Sequence, residues 1–445
     1  MERSERPRSL RSILLGIRSN EPPAVCAGFL MLFSLFASYF MLRPVRETMG
    51  IAGGVDKLQW LFTGTFIATL AAAPVIGWAV SKIRRRYICH WVLGFFALNT
   101  VAFGLAFAAY GDAPWLARSF FIWLSVFNLA AISIAWSVLA DIFQAEQARR
   151  LFALMSAGAS LGGLAGPLAG AMLVNRIGNE GLLMLAAAIL LVTISCSEVL
   201  QRWRDRFPPE HSEEAASQTL DSRNARLGGS ALAGAADVLR SPFLLGVALF
   251  VVLLASVSTF LYLEQARLVA ERFQSRTEQT QFFSMVDAVV QLLSLLIQFL
   301  LTARIATAFG LRALLLGLPL AMVAGFLLLS VSPLFALFIV ILVIRRVGEY
   351  ALVKPGREML FTVLPPQLKY KAKNFIDTVV YRGADAISAW LKSLADLMLS
   401  PQAVPLLGAC IAAAWAVSAV LIARAYCRLD AAAGSGTARE RTCAE

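Results

Sequence analysis

Apolar runs near or above twenty residues recur along the whole chain, separated by short polar turns. A helix rises ~1.5 Å per residue and a bilayer's hydrocarbon core is ~30 Å thick, so each run can cross it. The pattern predicts twelve helices. The first ten start at Pro22, Leu58, Ile88, Ala117, Leu151, Leu182, Phe243, Phe282, Leu311 and Leu334, the eleventh near Ala372, the twelfth at Val404. Prolines 22 and 23 suit a helix's first turn. Helix eleven is only half apolar, but parity requires it. Without it the basic C-terminal tail and the basic turn from Lys369 to Lys373 would lie on opposite sides of the membrane. The expected fold is therefore all-α and polytopic, with two six-helix halves at 24–200 and 242–424. An N-terminal tail at 1–23, a linker at 201–241 and a C-terminal tail at 425–445 are expected to be cytoplasmic. The linker holds too little apolar surface to bury, so it is expected to be mobile and protease-sensitive, with a surface helix within 229–239.

Composition agrees. The chain is 58% hydrophobic, with a net charge of +12. The positive charge clusters in alternate turns, as topology demands: Lys82 with the arginines 84–86, Arg149 with Arg150, the linker, Arg304 with Arg312, and Lys369 to Lys373. That bias predicts both termini on the cytoplasmic side of the membrane and makes nucleic-acid binding an unnecessary reading. The three lysines at 369, 371 and 373 read as topology signals and lipid-headgroup contacts. Six scattered cysteines and two histidines suggest neither a disulfide framework nor a metal site. The chain contains no nucleophile elbow, metalloprotease helix or phosphate-binding loop, so neither an enzyme nor a bound cofactor is expected. A monomer is expected.

The most informative stretch runs from Leu334 to Leu399. Charge enters it at membrane depth: Arg345, Arg346, Glu349, Lys354, Arg357 and Glu358, then Asp377, Arg382, Asp385, Lys392 and Asp396. Counting ~1.5 Å per residue puts Arg345, Arg346 and Arg382 near the midplane, where unpaired charge costs several kcal/mol or more. Arginine's planar fork suits phosphate or carboxylate. The expectation is that these three lie together and bind a small anionic substrate, with Glu349 and Asp385 beside them. The alternative is one acid per arginine in purely structural pairs. Asp287 is expected to pair with Arg382 or Arg346, or else to couple transport to a proton or cation. Arg43, Arg46 and Glu47 read as the outer wall of the cavity or as interfacial side chains. The small residues of helix five (Gly158, Gly162, Gly166, Gly170) read as packing.

The halves echo each other. Ser38 to Arg46 resembles Ser258 to Arg267, and the unit of helices four and five resembles that of ten and eleven, the mark of a duplicated transporter. Gly77 and the run Lys82 to Arg86 resemble the helix 2–3 signature of the major facilitator superfamily, with Ser81 at the place of its acid and Arg84 at that of a glycine. Tyr39 to Glu47, Trp136 to Gly163 and Arg357 to Asp385 resemble the ATP:ADP antiporter family, the nucleotide transporters of plastids and intracellular bacteria, and its shorter bacterial members most. That resemblance covers most of the chain. It implies nucleotide exchange by alternating access, with basic cavity residues holding phosphates. Lys57 falls on one family lysine. Helix four carries Asn128 and Ser133 where the family has an acid, and Asp385 with Arg382 stands near its late helix-eleven lysine.

Overall fold

The computed structural model describes residue 18 and residues 20–111, 113–207 and 234–432. All regular structure among them is helical. Most of both tails and linker residues 208–233 lie outside the described residues. Four helices come first: α1 (Pro22–Ala52), α2 (Leu58–Lys82), α3 (Ile88–Tyr110) and α4 (Pro114–Ile142). Ala145–Arg206 is two helices, α5 (145–177) and α6 (179–206), turned at Gly178, whose φ of 70° an L side chain rarely adopts. A short helix, Ala235–Arg240, precedes α7 (Pro242–Arg272). The next pair is α8 (276–309) and α9 (311–331), turned at Gly310 with φ 69°. Then come α10 (335–360), α11 (366–398) and α12 (Ala403–Ala432). Twelve membrane-length helices thus stand among the described residues, α11 included.

Several helices outrun their apolar cores. α1 runs on past Arg46 to Ala52, carrying Pro44 inside it. Prolines are tolerated within such spans because neighbouring groups satisfy the freed carbonyl. α11 begins at Pro366, a residue suited to a first turn, so Lys369 to Lys373 form helix where a turn was expected.

Three π turns interrupt the second half, at Gln298–Thr302 in α8, Glu349–Val353 in α10 and Ile376–Val380 in α11. Two of them meet. Gln298 donates from Nε2 to the Tyr350 carbonyl at 3.0 Å, and the Thr302 hydroxyl donates to the Ala351 carbonyl at 2.8 Å. Pro355, five residues beyond Tyr350, has no N–H for the π-turn bond to the Tyr350 carbonyl. Side chains of α8 thus add hydrogen bonds to two carbonyls of the α10 π turn.

The described residues group into two compact units: Met1–Val45, Val75–Gly111 and Leu124–Leu227, and Arg46–Pro74, Asp112–Trp123 and Gly228–Glu445. The division crosses α1, α2 and α4 rather than falling at the linker, because the ends of those helices pack on the second half.

In the first unit α1 and α5 lie backbone to backbone. A Cβ added to Gly158, Gly162 or Gly166 would stand 2.3, 2.2 or 2.4 Å from the carbonyl oxygens of Phe29, Phe33 and Ala37. The start of α1 is also tied down. Arg150 donates to the buried Glu21 carboxylate at 3.0 Å, Gln147 donates to it at 3.3 Å, and the Trp203 indole donates to the Asn20 carbonyl at 2.8 Å. Burial raises the Glu21 pKa, but the Arg18 backbone N–H, the Arg150 charge and hydrogen bond, and Gln147 together hold it below the ordinary 4.5.

Candidate functional site: an acid–base network on α7, α8, α10 and α11

Within the second unit, the apolar start of α10 ends in two adjacent arginines that a helix must point in different directions. Arg345 donates to Glu349 at 2.8 Å, one turn on, and to the Ser258 hydroxyl of α7. Arg346 reaches Asp287 of α8 at 2.6 Å. The four side chains of these two ion pairs are only 6–16% exposed. On α11, Arg382 pairs with Asp385 at 3.5 Å, and the Thr259 hydroxyl of α7 donates to Asp385 at 3.0 Å. Ser258 and Thr259 are consecutive, so one turn of α7 gathers Arg345, Glu349, Arg382 and Asp385 around Tyr381. Arg346 and Asp287 face the other way, towards α8.

Each of the three central arginines therefore has its own carboxylate, the arrangement set out above as the structural alternative to a free cationic cavity. The pairing does not use every donor. Nε of Arg345 and Nε of Arg346 are both buried without a hydrogen-bond partner among the described residues. Buried donors are rarely left so in folded proteins.

Below the Arg345 pair lies a small cavity of about 130 Å³, lined by Leu254, Glu349, Tyr350, Val353, Lys354, Arg357 and Tyr381. Arg357 is paired to Asp377 of α11 at 3.1 Å, and Lys373 to Glu358 at 2.6 Å. Lys354 is exposed and has no ion pair or hydrogen bond from its side chain among the described residues. It stands in the charged run that the sequence displays, but nothing in the sequence separates it from its neighbours. Its distinction is the lack of a hydrogen bond or close ion pair among the described residues, which is a tertiary fact.

The remaining candidates lie elsewhere. Arg46 and Glu47 form an ion pair at 3.0 Å at the far end of α1, where Glu47 also accepts from the Tyr262 hydroxyl of α7 and Arg46 lies 4.5 Å from the centre of the Phe121 ring. Nearby, the Thr48 and Thr280 hydroxyls are 2.8 Å apart, and the Trp390 indole donates to the Thr63 hydroxyl at 3.1 Å. Ile51, Leu58, Leu61 and Phe121 pack there with Leu263, Val269, Phe283 and Ala389. Lys57 is exposed, in the turn Val55–Lys57 between α1 and α2. Arg43 and Asn128 belong to the first unit; Arg43 lies 5.9 Å from the Phe40 ring centre, and the Asn128 side-chain oxygen is buried without a hydrogen-bond partner among the described residues. Lys392 of α11, itself buried, is joined to the exposed Asp396 and, at 3.3 Å, to Glu264 of α7; the sequence displays Lys392 and Asp396 in its charged run but does not single out Glu264 as their partner. No group of three or more histidine, cysteine or acidic side chains among the described residues is arranged to hold a metal.

Membrane-length helices with charged pairs between them suit a membrane carrier. The family model described as Major Facilitator Superfamily matches residues 24–270, more than half of the chain. The chain belongs to that superfamily; it is an integral membrane transporter and not an enzyme. No curated protein sequence matches it. Among solved structures, a variant of the nucleoside transporter NupG superposes with a TM-score of 0.64 at 12% identity, covering 90% of this chain and 99% of that one. A bacterial homologue of the iron transporter ferroportin, in an inward-facing state, superposes at 0.65 with 13% identity, covering 91% and 98%. The xylose transporter XylE from E. coli, inward open, superposes at 0.58 with 11% identity, covering 89% and 94%. At these identities the likeness concerns the fold, and the expected membership of the ATP:ADP antiporter family is not established by it.

Proposed function

We propose that this protein is a secondary active transporter of an anionic organic solute, with nucleotides or other organic phosphates as the leading class, exchanged or imported by alternating access. The observation that carries the reading is the pair of buried, unfilled guanidinium donors on Arg345 and Arg346. Keeping two arginines at membrane depth costs several kcal/mol even when paired. An anion that enters can take up donors that Glu349 and Asp287 leave over. We place both termini in the cytoplasm of a bacterial cell, with the protein a monomer in the inner membrane. Reporter fusions after Gly178 and after Arg226 then report opposite sides.

The test is uptake of labelled ATP, ADP and orthophosphate by proteoliposomes, preloaded or empty, for wild type and for R345K and R346K. Exchange that requires preloading, and that falls about tenfold or more in the lysine variants, supports the reading, because lysine cannot make arginine's bidentate contact. Uptake of none of these by wild type sinks it.

One observation favours a second reading. Each central arginine carries its own acid, so protonating Glu349, Asp287 or Asp385 would release a cation, as proton-coupled carriage of a different organic anion requires. Uptake driven by an imposed pH gradient and abolished by a proton ionophore distinguishes that mechanism from exchange.

A further inference from the structure

We propose that Lys354, with Arg357 beside it, forms the subsite that first takes a phosphate group of the transported solute. This rests on the anion-transport reading and names the residues that meet the charge. Four observations converge. The cavity under the Arg345–Glu349 pair presents two cations, Lys354 and Arg357, and one acid, Glu349, with Tyr350 and Tyr381 as further walls. Arg357 is neutralised by Asp377 at 3.1 Å. Glu349 is engaged by Arg345 at 2.8 Å. Lys354 alone of the three makes no hydrogen bond or ion pair within 4 Å among the described residues, and Asp377, which its charge reaches, is already held by Arg357, so the cavity keeps one positive charge in excess.

The π turn Glu349–Val353 explains the geometry. One added residue per turn lets Glu349 and Lys354, five apart, share a face as residues four apart do in a regular α-helix. Glu349 therefore belongs to two settings: it holds Arg345 on one side and borders the cavity on the other. A phosphate arriving at Lys354 repels the Glu349 carboxylate and weakens its hold on Arg345, whose guanidinium then becomes available to the same anion. The lysine's compact charge suits capture, and the arginine's fork suits the bidentate contact that follows. The sequence of events passes the anion from the cavity towards the centre of the span.

The same positive chemistry would accept the headgroup of an anionic lipid, so the experiment separates the two sources. Thermal stability is measured in nanodiscs of phosphatidylcholine with orthophosphate and with ATP, and separately in nanodiscs containing phosphatidylglycerol without added anion. Wild type, K354Q, K354R and R345K are compared. The expected result is stabilisation of wild type by ATP, with a midpoint concentration raised about tenfold or more in K354Q, the worth of one hydrogen bond to a charged group. K354R keeps the charge and stays within about threefold of wild type, by the same arithmetic. Without ligand, K354Q is expected to melt close to wild type, because Lys354 makes no hydrogen bond or close ion pair among the described residues. If K354Q titrates like wild type while R345K is weakened, the subsite is wrong and anion transport stands. If neither orthophosphate nor ATP stabilises wild type, both fall. If only phosphatidylglycerol stabilises it, through Lys354, the site is a lipid site and the proposal is overturned.

Discussion

Glu21 shows how one residue can fix a helix end outside the apolar span. Its carboxylate is buried yet answered by Arg150, Gln147 and the Arg18 backbone N–H. Its folded pKa lies below the ordinary 4.5. A lowered carboxylate pKa stabilises the fold above the unfolded value, and the contribution is lost as pH falls through the folded value. E21Q is therefore expected to unfold at lower temperature than wild type at neutral pH, by the equivalent of ~1–3 kcal/mol, the usual worth of hydrogen bonds to a charged group. The gap closes as pH drops below about 4.5. Melting curves of both proteins between pH 3 and 7 check this, and a gap that does not narrow at the acid end would refute the role.

Helix α5 carries the clearest case of an element whose sequence anticipates its packing. Gly158, Gly162 and Gly166 recur every four residues, and each is closed by a backbone carbonyl of α1 within 2.4 Å of a built Cβ. A carbonyl oxygen cannot swing aside as a side chain can, so α1 and α5 must separate to admit a methyl group. G162A is expected to cost ~1–3 kcal/mol, the range for overpacking. Gly94 of α3 has nothing within 4 Å of its built Cβ. There alanine is expected to be neutral or to stabilise by up to ~1 kcal/mol, through helix propensity alone. Thermal unfolding of the two variants side by side decides whether contact or mere composition explains the stripe.

For the whole molecule, alternating access requires contacts between the two sequence halves that form and break. The end of α1 joined to α7 and α8 supplies a set: Glu47 with Tyr262, Thr48 with Thr280, and the apolar cluster around Phe121 and Leu263. The Thr48 and Thr280 hydroxyl oxygens are 2.8 Å apart, so cysteines substituted there bring their sulfurs close to one another. The double variant T48C/T280C is expected to cross-link on mild oxidation, to lose transport when cross-linked, and to regain it on reduction. Each single variant should transport throughout. Full transport by the cross-linked protein would show that this end does not open during the cycle.

The sequence by itself determined the fold class, the number of spans and the glycine contact face. Each of those depends on apolar length or residue size, properties that read out locally. It also located the charges of α10 and α11, because a charged residue inside an apolar run is conspicuous wherever the chain goes. Partners were another matter. Arg345 and Arg346 are adjacent and chemically identical, yet one finds Glu349 on its own helix and the other finds Asp287, a residue 59 positions away (346 − 287). No local rule selects between those pairings, since rotation of α10 against α7 and α8 decides them. The π turn of α10, which sets the phase of everything after Glu349, lies where carbonyls of α10 meet side chains of α8. Lys354 was one cation among many in the sequence. Only the tertiary arrangement, by giving every neighbouring central cation an acid and leaving this one exposed beside a cavity, set it apart.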